Sequence, residues 1–214
     1  MTDARTEAAP DGQPVDTRPY SPGLEGVLAG ETSLSQVDGA RGRLLYRGYR
    51  IGDVVEHGTY PVVANLLWSG EWDPTQRLAT APVPDAVLTV LRALPRTAKP
   101  MDALRTAVST WGATQKLDWP PTVEQARTLT ATSPSVLAAF ARLRQGLEPI
   151  EPDPSLDLVE GFLYQITGTP PEPGNARALD AYFMVGAEHG FNASTFTARV
   201  ITSTQSDIAS AVTL

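Results

Sequence analysis

Apolar residues recur at three- and four-residue intervals, in segments separated by glycine and proline, and this pattern constrains the chain to a mostly α-helical fold. Thr59 caps a segment holding Val62, Val63, Leu66 and Leu67, which Gly70 closes. Pro84-Asp85 opens a second, with Val87, Leu88, Leu91 and Leu94 on one side, and 102–112 presents Leu104, Ala107 and Val108. Residues 118–122 form a loop, with Thr122 as a cap for the next helical stretch. The spacing predicts a helix starting with Ser133 as N-cap and Pro134 at its first position, carrying Val136, Leu137, Phe140 and Leu143 and stopping at Gly146. Asp153-Pro154 repeats that start, ahead of Leu158, Val159, Phe162, Leu163 and Ile166, with Gly168 at the end. Further helical segments lie at 176–187, at 193–203 and from Asp207 onward.

Before Gly52 the pattern is different. Asp38-Gly39 is a turn signal, and 42–48 place a brief strand between glycines. The domain reading is therefore a mobile tail over 1–20, a short β element over 21–52 and a helical body over 53–214.

Composition narrows the chemistry. The chain has 214 residues and a formal net charge of −7, which argues against a nucleic-acid binder dependent on a basic surface. Without cysteine, no disulfide, thiolate nucleophile or cysteine-held iron–sulfur cluster can form. The two histidines, His57 and His189, lie far apart, so the sequence predicts no metal site. It shows neither an apolar run long enough to span a membrane nor a secretory leader pattern, and the plain reading is cytoplasmic. No glycine-rich nucleotide fingerprint and no nucleophile elbow occurs.

His57, before Gly58, reads as a residue relieving a helix dipole. Arg142 and Arg144 fall near a helix C-terminus, where basic side chains are favoured, and a phosphate-binding role for them is the weaker reading. His189 comes after a helical stretch that Gly190 breaks, ahead of another beginning near Asn192. Such a junction exposes backbone N–H groups and partial positive charge, which suits an anion. On the residues alone, His189 reads more simply as structural than as a ligand contact, Asn192 as an N-cap and Ser194 as a first-turn residue.

Several stretches, taken in order, carry a resemblance that covers nearly all of 22–212: GLEGVLAGET at 23–32 with LYRGYRI at 45–51, PMDALRTAVS at 100–109, RLRQGLEPIEPDPSL at 142–156 with FLY at 162–164, and EHGFNASTFTAR at 188–199. Together they resemble the citrate synthase family. The resemblance implies an α-helical large domain that pairs with a second copy as a homodimer. It implies condensation of acetyl-CoA with oxaloacetate to citrate and CoA, with acetyl-CoA as co-substrate and no metal or other cofactor. A 2-methylcitrate synthase using propionyl-CoA is the nearest variant, and a non-catalytic dimerising or regulatory subunit is the other alternative.

By position, His189 is similar to a histidine that helps hold oxaloacetate, with Asn192 beside it and Ser194 supporting the site. The enolising carboxylate, two mechanistic histidines and the substrate-binding arginines belong, by the same resemblance, to later sequence opening with a GPLHGG-like segment. On that expectation these 214 residues are an incomplete large domain, contain no catalytic residue and are inactive alone.

Overall fold

The computed structural model describes residues 30–213. The 1–20 tail and most of the 23–32 motif lie outside the described residues. From Thr32 onward the chain forms a single unit. Its first part is an antiparallel sheet of β1 (Ser35–Asp38), β2 (Arg43–Tyr46) and β3 (Tyr49–Arg50), in that order. Ser35 stands opposite Tyr46, and Tyr46 opposite Tyr49. The two-residue link between β2 and β3 is Arg47-Gly48, both at positive φ (47° and 93°). That pairing matches the right-handed twist of the strands it joins, and it is why glycine comes after arginine here.

Nine α-helices complete the described residues: α1 (Ile51–His57), α2 (Tyr60–Ser69), α3 (Asp85–Ala93), α4 (Pro100–Thr114), α5 (Val123–Arg144), α6 (Leu158–Thr167), α7 (Pro173–Gly186), α8 (Ala193–Thr202) and α9 (Ile208–Val212). The mostly α class with a small β element is the observed architecture. Gly70 ends α2 and Gly168 ends α6, each in the left-handed conformation that glycine adopts without a Cβ penalty.

Two helix starts differ most from the sequence expectation, beyond shifts of two or three residues at α4 and α7. Ser133-Pro134 is no boundary, because α5 runs through it for 22 residues. Its N-terminus is instead a capping box, in which Thr122 Oγ1 accepts the Gln125 N–H and Gln125 Oε1 accepts the Thr122 N–H. Pro134 has no N–H to continue the ladder. Around it, the Ser133 hydroxyl donates to the Leu129 carbonyl at 2.7 Å, and the Ala81 N–H donates to the Ala131 carbonyl at 2.9 Å. Leu129, Ala131 and Thr132 on one side of the proline and Val136, Ala139 and Phe140 on the other all bury, so packing holds the helix continuous.

Asp153-Pro154 is likewise a turn. Asp153 accepts both the N–H and the hydroxyl of Ser155, an arrangement that competes with helix. The helix begins four residues later, with Asp157 as N-cap.

The core has three parts. Val87, Leu91, Ala103, Ala107, Val108, Trp111, Val136 and Phe140 join α3, α4 and α5, with Ala209 of α9 closing the end. Leu78, Ala131, Leu158 and Val159 form a second patch. Tyr46, Val54, Val63, Leu66 and Met184 form the third, which seats α7 against the sheet and the first two helices. That third part fixes the point at which the chain leaves α7.

Candidate functional site at the junction of α7 and α8

Between Gly186 and Ala193 the backbone bends through Ala187, Glu188, His189, Gly190, Phe191 and Asn192. Gly190 bends the chain at φ +91°, a conformation that L side chains rarely adopt. A Cβ there would meet only Val37 at 3.8 Å, so the backbone angle and not crowding requires glycine.

His189 and Asn192 fall in this turn, and Ser194 in the first turn of α8 that follows it. His189 is exposed, with its two chain neighbours anchored on either side. Asn192 is the N-cap of α8, and its Oδ1 accepts the Thr195 N–H at 2.8 Å. Ser194 lies exposed in the first turn. The first backbone N–H groups of α8 precede any intrahelical partner and carry the positive end of the helix dipole. The junction therefore carries an exposed imidazole three residues ahead of the α8 N-cap, and helix-terminal N–H donors of this kind are able to receive a carboxylate or a polarised carbonyl oxygen. Arg199, one further turn along, lies over the Phe191 ring at 5.0 Å.

The anchoring comes from residues whose role the sequence does not reveal. The Tyr46 hydroxyl donates to the Val185 carbonyl at 2.8 Å and accepts the Glu188 N–H at 3.1 Å. Burial, aided by the nearby Glu188 carboxylate, pushes the Tyr46 phenol up, so it keeps its proton and remains a donor. Glu188 Oε1 accepts the Ser35 hydroxyl at 3.0 Å and the Gly190 N–H at 2.6 Å. Glu188-x-Gly190 is a local signal for the second of these bonds. Nothing local marks Tyr46, whose partners lie 139 and 142 positions away.

The remaining polar residues singled out in the sequence hold backbone. His57 Nδ1 lies 3.0 Å from the Asp53 carbonyl in the last turn of α1. Arg142 donates to the carbonyls of Glu148 and Ile166, and Arg144 to that of Arg96. Among the described residues, no group of three or more histidine and acidic side chains is placed to hold a metal ion. No helix among them is long and apolar enough to cross a membrane.

The family model described as citrate synthase, C-terminal domain, matches residues 23–213. The chain is 42% identical over 207 residues to a citrate synthase of Haloferax volcanii, covering 89% of this chain and 55% of that protein. It is 40% identical over 208 residues to 2-methylcitrate synthase 2 of Corynebacterium glutamicum, covering 89% and 54% respectively. The crystal structure of citrate synthase from Pyrobaculum aerophilum superposes with a TM-score of 0.81 at 30% identity, over 99% of this chain and 58% of that one. The chain thus spans about half the length of the relatives it matches.

Proposed function

The chain belongs to the citrate synthase family, and from that premise we propose that it supplies the oxaloacetate-holding turn of an enzyme that condenses acetyl-CoA with oxaloacetate. In this reaction the acetyl methyl group loses a proton and the resulting enol attacks the oxaloacetate ketone. Hydrolysis of the thioester then releases citrate and CoA. The part taken by these residues is binding and polarisation. The His189 imidazole donates a hydrogen bond to oxaloacetate, and Asn192 and Ser194 shape the turn beside it. Donors fixed in place before the substrate arrives need little reorganisation as negative charge builds on the ketone oxygen.

The observation that supports this most is the exposed His189 held between two tethered neighbours at the mouth of α8, inside a segment matched to the family from 23 to 213. His57 Nδ1 lies against the Asp53 carbonyl of its own helix, and His189 is the histidine we assign to substrate. By the family's chemistry two more histidines and a carboxylate are needed. We therefore expect these 214 residues alone to release no CoA from acetyl-CoA and oxaloacetate.

The test is made on the gene's full product. His189→Ala should raise the oxaloacetate KM by about ten- to a hundredfold, the equivalent of one hydrogen bond to a charged substrate, with the acetyl-CoA KM little changed. An unchanged oxaloacetate KM overturns the reading. The proposal extends to a homodimer, and sedimentation as a monomer at micromolar concentration overturns that part.

The acyl substrate has a second reading. Identity to the 2-methylcitrate synthase (40%) nearly equals that to the citrate synthase (42%). A higher kcat/KM for propionyl-CoA than for acetyl-CoA would make the product 2-methylcitrate, and the reverse ratio citrate.

A further inference from the structure

We infer that Tyr46, Glu188 and Ser35 are positioning residues for the oxaloacetate-holding turn, so that the small sheet sets the affinity of the site without touching substrate. The inference rests on the proposal that His189 binds oxaloacetate.

His189 itself is exposed, and an exposed imidazole on a free loop would sample many orientations. The turn that carries it is not free. Its entry is held by Tyr46, which is 0% exposed and uses its one hydroxyl as donor to the Val185 carbonyl and as acceptor for the Glu188 N–H. The interior is held by the Glu188 carboxylate, which gathers the Gly190 N–H and the Ser35 hydroxyl. The exit is held by Asn192, whose N–H donates to the Gly190 carbonyl at 2.8 Å while its side chain caps α8. His189 is thus the residue left outward in a closed set of bonds on its two neighbours.

The anchors share one origin. Ser35 and Tyr46 are opposite each other in the β1–β2 register, so the two contacts on the turn come from a single rung of the sheet. Tyr46 holds the backbone ahead of His189, and Ser35 holds the Glu188 carboxylate that in turn accepts the Gly190 N–H after it. Preorganisation of this kind acts on binding, because a loop ordered before substrate arrives loses less entropy on binding.

Four variants of the full gene product test this, with oxaloacetate affinity read by isothermal titration and by KM. Tyr46→Phe keeps the buried ring and deletes only the hydroxyl, and it should weaken oxaloacetate about three- to tenfold, as for one net hydrogen bond. Ser35→Ala, at a half-buried strand position, should do so about two- to fivefold. Glu188→Ala should match or exceed Tyr46→Phe. Glu188→Gln, whose amide oxygen still accepts, should restore affinity to within about twofold of wild type.

Acetyl-CoA KM should stay within about twofold throughout. A merely structural role would lower the amount of active protein without splitting the two KM values. If His189→Ala weakens oxaloacetate while Tyr46→Phe, Ser35→Ala and Glu188→Ala do not, the positioning role is wrong and the function stands. If His189→Ala has no effect, the function itself is wrong.

Discussion

Gly112 in α4 faces Ala209 in α9 with no space for a side chain between them: a Cβ at 112 would overlap the Ala209 Cβ. Alanine favours a helix interior over glycine by about 1 kcal/mol, so propensity alone predicts that Gly112→Ala stabilises. Overpacking a tight contact costs about 1–3 kcal/mol and outweighs it. Gly112→Ala should lower the urea midpoint of the protein, and a raised midpoint would show that α9 can move aside.

Met184, 0% exposed, packs with Tyr46, Val54, Val63 and Leu66 where α7 meets the sheet and the first two helices. Met184→Ala leaves a cavity there and should cost about 2–5 kcal/mol in chemical denaturation. A loss below about 1 kcal/mol would mean that the cluster collapses to fill the space.

The Asp180 carboxyl is 8% exposed and accepts the Tyr60 N–H at 2.8 Å, beside Arg177 at 3.3 Å. Arg177 in turn donates to the carbonyls of Val55 and Gly58, so the pair binds α7 to the joint between α1 and α2. Burial pushes Asp180 above its ordinary 3.8, against the lowering effect of the Tyr60 N–H and of Arg177, while Glu160 adds a little in the upward direction. The folded state therefore holds this proton more tightly than the unfolded state does. That contribution to stability is full below pH 3.8 and is lost as pH rises through the raised value. Relative to Asp180→Asn, the wild type should lose stability as pH climbs from 3.8 through the raised value. Parallel curves for the two proteins would rule this out.

At the start of α5, Thr122→Ala removes the side-chain acceptor for the Gln125 N–H and half of a reciprocal pair. The expected cost is about 0.5–2 kcal/mol in urea denaturation. Gln125→Ala should cost less, since the Thr122 acceptor remains. The opposite order would mean that Thr122 does not cap the helix.

Much of the helical body can be read directly from the residues. Val87 and Leu91, and Val136 and Phe140, stand on helical spacings because each pair belongs to one buried face, and burial is what selects apolar residues at those positions. Ser133-Pro134 misleads because the local signal is real but outweighed. A Ser-Pro pair favours a helix start, yet apolar packing on both sides and the outside donor at Ala81 keep the turns continuous. Asp153-Pro154 fails for the converse reason, since Ser155 gives the carboxylate a nearer partner than a helix would.

At the junction of α7 and α8 the cap and the break were legible, because Asn192 and Gly190 act within three residues of themselves. The hold of Tyr46 on the turn was not. Nothing in LYRGYRI tells a buried hydroxyl which carbonyl it will meet more than a hundred positions later.

That separation also orders events in time. The β1–β2 hairpin and the α3–α4 pair join neighbours in sequence and need only short loops to close. The Tyr46 hydroxyl must wait for residues 185 and 188, so a ribosome will have added 139 residues after this tyrosine before it finds its first partner. Pulse-labelled hydrogen exchange during refolding should therefore protect the Glu188 amide after those of α4. Simultaneous protection would mean that the sheet, the turn and the bundle condense as one nucleus.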